Sequence, residues 1–311
     1  MMRLHRILLS LLALCAATTF SASTAAAQDW AKAQLDKSSR HREYATIEHD
    51  GRKVTTFVVY PEVSKKAPVI VLIHEIFGLS DWFKLQADEL AAKGYIVVAP
   101  DLLSGVGPNG GGTEALFATT GTNDPVTKAV SGLDPAQVTA DLDAVADYGK
   151  KLPSSNGKLA VAGFCWGGGK SFLFATHRGD LSAAFVFYGP PPPAAAMAAI
   201  NAPIYGFYGG NDARIGATIP QAITDMKAEG KFYEPVTYDG AGHGFMRAGQ
   251  APDARPEDKK AFDQGFARLL KELEKNTSAT RKTARLIRMK KAPAGTAVAS
   301  TQECLGMHGM N

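Results

Sequence analysis

Val161-Ala-Gly163-Phe-Cys165-Trp166-Gly167-Gly168-Gly169-Lys170 decides how this chain is read. The apolar run Lys158–Val161 predicts a strand and Gly168–His177 predicts a helix. Between them lies Gly-x-Cys-x-Gly, the pattern of a nucleophile elbow with Cys165 in place of serine. The flanking glycines are needed for steric reasons, because the turn is strained and pressed against its neighbours. The amides at the start of the following helix point at the thiol and are expected to favour thiolate. Gly169-Lys170-Ser171 also resembles the end of a phosphate-binding loop. That motif requires glycine at 164, where Phe164 stands, so the nucleotide reading fails on register.

Outward from this stretch, strands and helices alternate. Tyr44–His49 and Lys53–Tyr60 flank an Asp50-Gly51 hairpin turn. Pro68–His74 and Tyr95–Ala99 are apolar enough for strands buried on both faces. Asp81–Lys93 reads as a helix capped by Ser80 and stopped at Gly94. The Gly-, Asn- and Thr-rich stretch Leu102–Leu133 reads as a long loop at the pocket wall. Helix Pro135–Leu152 precedes the elbow; strand Ala183–Tyr188, strand Pro203–Tyr208, helix Ile219–Glu229, strand Phe232–Tyr238 and helix Asp258–Leu273 follow it. This order implies one α/β domain, residues 28–275, with a mostly parallel sheet covered by helices on both faces.

The ends differ from the body. Arg3 and Arg6, the apolar run Ile7–Ala17 and the small residues Ala25–Ala27 form an export signal, too short in its apolar part to span a bilayer. The mature chain is expected to begin near Gln28, in a periplasmic or secreted location. Leu14 argues against lipidation at Cys15. Residues 276–311 carry six basic side chains against Glu303 and read as a disordered tail. Setting aside that tail and the export segment, the remaining body of this 311-residue chain has a net charge of −3, so nothing in it calls for nucleic acid. Cys304, Met307, His308 and Met310 near the end are soft ligands without a diagnostic metal spacing. A Cys165–Cys304 disulfide would consume the nucleophile.

Two more chemical groups fall just past strand ends, Asp212 in Gly-Gly-Asn-Asp and His243 in Gly-Ala-Gly-His-Gly-Phe. Residues there converge on one edge of a parallel sheet. Nucleophile, acid, histidine is the order of an α/β-hydrolase triad, with Cys165 attacking, His243 moving the proton and Asp212 orienting the imidazole. Backbone amides of Ile76 and Trp166 are the oxyanion-hole candidates. His74-Glu75-Ile-Phe-Gly78 lacks the second histidine of a zinc motif, and neither metal nor cofactor is expected.

Together His74–Gly78, Pro100-Asp101-Leu102, Gly163–Gly168, Gly210-Asn-Asp212 and Gly242–Phe245 resemble the dienelactone hydrolase family over Tyr44–Leu273. The resemblance implies an α/β-hydrolase fold, a Cys165–His243–Asp212 triad, and Glu75 acting on the thiol when substrate binds. It also implies that Arg247 meets a substrate carboxylate. A second arginine of that pattern is replaced by Leu103-Ser104-Gly105. The sequence therefore points to a hydrolase of small esters or lactones, with no stable membrane anchor and an oligomeric state left open. The alternatives are a general small-ester carboxylesterase and a non-catalytic ligand-binding module. A thiol redox protein lacks the Cys-x-x-Cys partner.

Overall fold

A computed structural model describes residues 26–278. The export segment, except its last two residues, the bulk of the basic tail, Cys15 and Cys304 lie outside that range. The elements, in chain order, are α1 (Ala26–Leu35), β1 (Arg42–His49), β2 (Arg52–Val59), β3 (Ala67–Ile73), α2 (Asp81–Ala91) and β4 (Ile96–Pro100). Then come α3 (Thr113–Ala118), α4 (Asp124–Ser131), α5 (Pro135–Lys151), β5 (Ser155–Phe164), α6 (Trp166–His177) and β6 (Ala183–Phe187). The chain continues with α7 (Ala194–Met197), β7 (Ile204–Gly209), α8 (Ala213–Gly216), α9 (Ile219–Ala228), β8 (Tyr233–Tyr238), α10 (Phe245–Ala248) and α11 (Pro256–Thr277). A short 3-10 turn at Pro108–Gly110 precedes α3.

The sheet order is β1-β2-β4-β3-β5-β6-β7-β8. β1–β2 and β2–β4 pair antiparallel, and every later pair is parallel. Asp50 and Gly51 both adopt positive φ (47° and 75°) in the β1–β2 turn, as an Asp-Gly hairpin requires. Strand residues alternate between two cores. Ile70 and Leu72 of β3 face one built from α1, α2 and α11, while Val69, Val71 and Ile73 face another built from α5, α6 and α9. This explains why the central strands read as unbroken apolar runs. The helix starts follow local chemistry. The Ser80 hydroxyl accepts from Phe83 N at the head of α2, and Asp134 accepts from Ala136 N at 2.9 Å ahead of Pro135 in α5.

The structure corrects four readings. Leu102–Leu133 is not an irregular loop, because it holds α3 and α4, whose six and eight residues give too few turns to register a period. β5 runs through Ser155–Phe164, and α6 starts at Trp166 with three glycines inside it, so packing overrides their poor helix preference. α11 reaches Thr277, beyond the expected helix end at Leu273 and the expected domain end at 275; Asn276 and Thr277 are buried, and Asn276 donates to Tyr205 Oη at 3.1 Å. α1 was not anticipated; it buries Ala31 and Leu35 against α2.

Gly149 in α5 shows how closely the layers meet. A methyl group there would lie 2.7 Å from Val69 Cγ1, in the buried middle of the sheet. Alanine in a helix interior gains about 1 kcal/mol over glycine, whereas overpacking costs about 1–3 kcal/mol. Gly149→Ala is therefore expected to lower the urea unfolding midpoint, by about 1–2 kcal/mol of stability, despite the better helix former.

Candidate active site

The turn between β5 and α6 places Cys165 at φ 54° and ψ −116°, a conformation L-residues avoid. Neighbouring backbone holds it there. A Cβ on Gly163 would lie 2.0 Å from Gly167 O, one on Gly167 2.3 Å from Ile73 O, and one on Gly168 2.4 Å from Phe187 O. Cys165 N donates to Phe187 O at 3.0 Å. The turn is thus clamped between the ends of β3 and β6, with its side chain outward and half-buried.

Two loops bring the other groups to it. The loops after β7 and β8 are joined through Asn211, whose backbone N donates to Ala241 O and whose side-chain amide donates to Gly240 O, both at 2.9 Å. Gly209 is required at this seam, since a Cβ would meet Gly242 O at 2.6 Å. The seam sets His243 Nδ1 2.5 Å from Asp212 Oδ2 and His243 Nε2 3.1 Å from Cys165 Sγ. An ionised Asp212 accepts only, which assigns the proton to Nδ1 and leaves Nε2 to accept from the thiol. Asp212 is buried, and its second oxygen accepts from Ile215 N at the start of α8.

Glu75 and Ile76 follow β3. The Ile76 and Trp166 amides both act on the sulfur and hold its pKa down. Burial, and then the Glu75 carboxylate, push the thiol above its ordinary value and outweigh those amides. The helix start favours thiolate as expected, but burial and Glu75 outweigh it in the free protein. Glu75 is itself pushed up by burial and opposed by Arg247, whose Nε donates to its Oε1 at 3.0 Å. Arg247, expected to await a substrate carboxylate, is thus already paired; its guanidinium also lies over the Phe77 ring, 5.0 Å from the centroid.

Sequence reasoning missed the supports around these groups. Asp101 accepts from Leu103 N, Thr113 N and Thr113 Oγ1, and Thr113 Oγ1 accepts from Leu79 N at 3.0 Å. This clasp ties the loop bearing Ile76 to the α3–α4 segment. Leu103, Val126 and Val130 of that segment pack with Ile76 and Trp166. His74 stacks on Trp166 from within the core. Gln250, just past α10, accepts from Trp82 Nε1 at 2.8 Å and donates to Glu89 at 2.6 Å, fixing the turn that carries Arg247 to α2. The Pro-Asp dipeptide at the end of β4 was the one sequence signal for any of these. Among the described residues no cluster of His, Cys, Asp or Glu is arranged to hold a metal ion.

A mostly parallel sheet with a cysteine at the strained turn after β5, an acid after β7 and a histidine after β8 defines the α/β-hydrolase fold. Residues 54–276 match the dienelactone hydrolase family, and the chain belongs to it. An Escherichia coli protein provisionally named a carboxymethylenebutenolidase is 31% identical over 244 residues, covering 73% of this chain and 84% of that protein. The carboxymethylenebutenolidase of Pseudomonas putida is 29% identical over 201 residues, 64% of this chain and 83% of its own. Among solved structures, a Klebsiella pneumoniae protein provisionally described as a dienelactone hydrolase superposes with a TM-score of 0.62 at 26% identity, covering 75% of this chain and 98% of its own.

Replacing Glu75 with glutamine removes the negative charge that opposes the thiolate. The Cys165 pKa, followed by thiolate absorbance against pH in Glu75→Gln, is expected to fall below that of the wild type. An unchanged or higher value would mean that Glu75 does not act on the sulfur.

Proposed function

We propose that Cys165 attacks the acyl carbon of a small ester or lactone and carries the acyl group as a thioester. The fold and family make this chain a hydrolase of such molecules. The observation that supports the cysteine route best is the hydrogen-bonded line Cys165–His243–Asp212 at a strained elbow. As Sγ bonds to the carbonyl carbon, His243 Nε2 takes the thiol proton and the carbonyl electron pair moves onto oxygen, facing the Ile76 and Trp166 amides. Collapse of that adduct breaks the ester C–O bond, and His243 returns the proton to the leaving oxygen. Water then gives a proton to His243 as it attacks the thioester; the thiolate leaves and is reprotonated. No step calls for a cofactor.

Glu75 and Arg247 set the timing in this reading. Arg247 holds Glu75 in the free enzyme, and a carboxylated substrate competes for the same guanidinium. Once Arg247 turns to the substrate, the Glu75 carboxylate is left beside the thiol and takes part in its activation. The names of the relatives suggest a carboxymethylenebutenolide-like lactone as that substrate. Leu103 and Ser104, in the stretch that stands where the second arginine is expected, are both buried and uncharged, so this stretch offers the substrate no cation. A general small-ester carboxylesterase is the second reading because of this gap.

Aryl esters and unsaturated lactones, each with and without a carboxylate, separate the two. Cys165→Ala is expected to abolish turnover of all of them. Arg247→Ala is expected to lower kcat/KM for carboxylated substrates about ten- to a hundredfold relative to neutral ones. Equal loss on both kinds would exclude the dienelactone assignment and leave the esterase.

We also propose export directed by residues 1–27. The order of basic, apolar and small residues supports it, and the first core residues of α1, Ala31 and Leu35, lie beyond a cut near Gln28. Cell fractionation with N-terminal sequencing is expected to find a mature start near Gln28 outside the cytoplasm; a cytoplasmic chain retaining Met1 would refute export.

A further inference from the structure

His74 directly follows β3 and is fully buried, and the triad makes no use of it. It touches the elbow on one side and the loop bearing Ile76 on the other. Toward the elbow, its ring stacks on Trp166, 5.6 Å between centroids and 13° between planes. Its carbonyl oxygen also lies so near Gly167 that a Cβ there would come within 2.4 Å. Toward the loop, its Nδ1 lies 2.8 Å from Glu75 O. Phe83 of α2 meets the ring edge-on at 6.3 Å. The imidazole is therefore fixed.

Its proton can be assigned. A carbonyl oxygen only accepts, so Nδ1 carries the hydrogen and donates to Glu75 O. Nε2 has no partner, and a proton there would be a buried donor with nothing to meet. Burial also pushes the imidazole pKa down, against the pull of the Asp101 carboxylate, and keeps the ring neutral. Glu75 O accepts a second bond, from Gly78 N at 3.1 Å. The Glu75–Ile76 peptide is trans, and in a planar trans peptide the oxygen and the amide hydrogen point in opposite directions. Anchoring Glu75 O therefore aims the Ile76 N–H, one of the two amides that act on the Cys165 sulfur. We propose that His74 is a positioning residue for the oxyanion hole, its Nδ1–H setting the plane of the Glu75–Ile76 peptide. This deepens the ester-hydrolase reading and rests on it. A donor held in place beforehand needs no reorientation when negative charge develops on the substrate oxygen.

His74→Phe keeps a ring against Trp166 and removes the donor. His74→Asn loses the ring but carries a side-chain N–H that reaches the place of Nδ1. Both are compared with wild type on 4-nitrophenyl butyrate and, without substrate, by Cys165 thiolate absorbance against pH, read as the difference from Cys165→Ala. In His74→Phe, kcat is expected to fall about ten- to a hundredfold with little change in KM. The Cys165 pKa is expected to rise there, because an amide that favours thiolate turns away. His74→Asn is expected to keep the wild-type Cys165 pKa and a kcat within about fivefold of wild type. A role in packing alone predicts the reverse order, with the ring-bearing variant the less impaired; that order, or equal loss in both, overturns the proposal. The ring-nitrogen NMR shifts of His74 in the wild type are a second test that needs no variant to fold. A neutral ring with hydrogen on Nδ1 is expected, and hydrogen on Nε2 overturns the proposal. If the wild type hydrolyses no ester, the ester-hydrolase reading itself falls. Turnover by the wild type with kcat and Cys165 pKa unchanged in His74→Phe removes only the role of His74.

Discussion

The backbone of Cys165 is the constraint on which the site depends. A non-glycine residue at φ 54° costs on the order of 1–3 kcal/mol, and it persists only where its surroundings leave no alternative. Here the surroundings are the carbonyls of Ile73 and Phe187, each so near that Gly167 and Gly168 have no room for a side chain. β5 lies between β3 and β6 in the sheet, and its turn is gripped by the strand ends on both sides. Two buried cores hold those strands in place, so the geometry of one sulfur is underwritten by packing across the whole domain.

That geometry does not by itself produce a reactive thiolate. The sulfur is half-buried beside a carboxylate, and both conditions favour the neutral thiol over the pull of two amides. The free protein is therefore arranged to keep the thiol protonated. His243 is close enough to take the proton, and Asp212 is buried and bonded so that the imidazole can accept it. Glu75 is tied to Arg247. Charge rearrangement on substrate binding, not a permanently ionised sulfur, is what this electrostatic balance favours. The same balance limits oxidation of Cys165, since that chemistry follows thiolate character.

Much of this was legible in the residues. Long apolar runs gave the parallel strands, and Gly-x-Cys-x-Gly located the elbow, because both signals arise from steric demands local to a few positions. Asp212 and His243 could be placed because residues past strand ends share an edge. Other features depend on contacts between distant segments. Nothing around Arg247 announces a pairing with Glu75, which lies 172 positions earlier. α3 and α4 escaped notice because each is only about two turns long, and a few contacts such as those of Val126 and Val130 anchor them. Tyr188 carried a positional signal, the end of a strand beside the elbow, but its positive φ exists only in the fold. The helix start that favours thiolate is visible in sequence, whereas the burial and the Glu75 charge that outweigh it are not.

The α3–α4 segment rests directly on Ile76 and Trp166, the residues whose amides face the sulfur, and Thr113 links it to the loop that carries one of them. It therefore cannot be exchanged between homologues as an independent specificity cassette. A graft that reshaped this wall would also shift the two amides that act on the sulfur, and substrate range and the electrostatics of Cys165 would drift together.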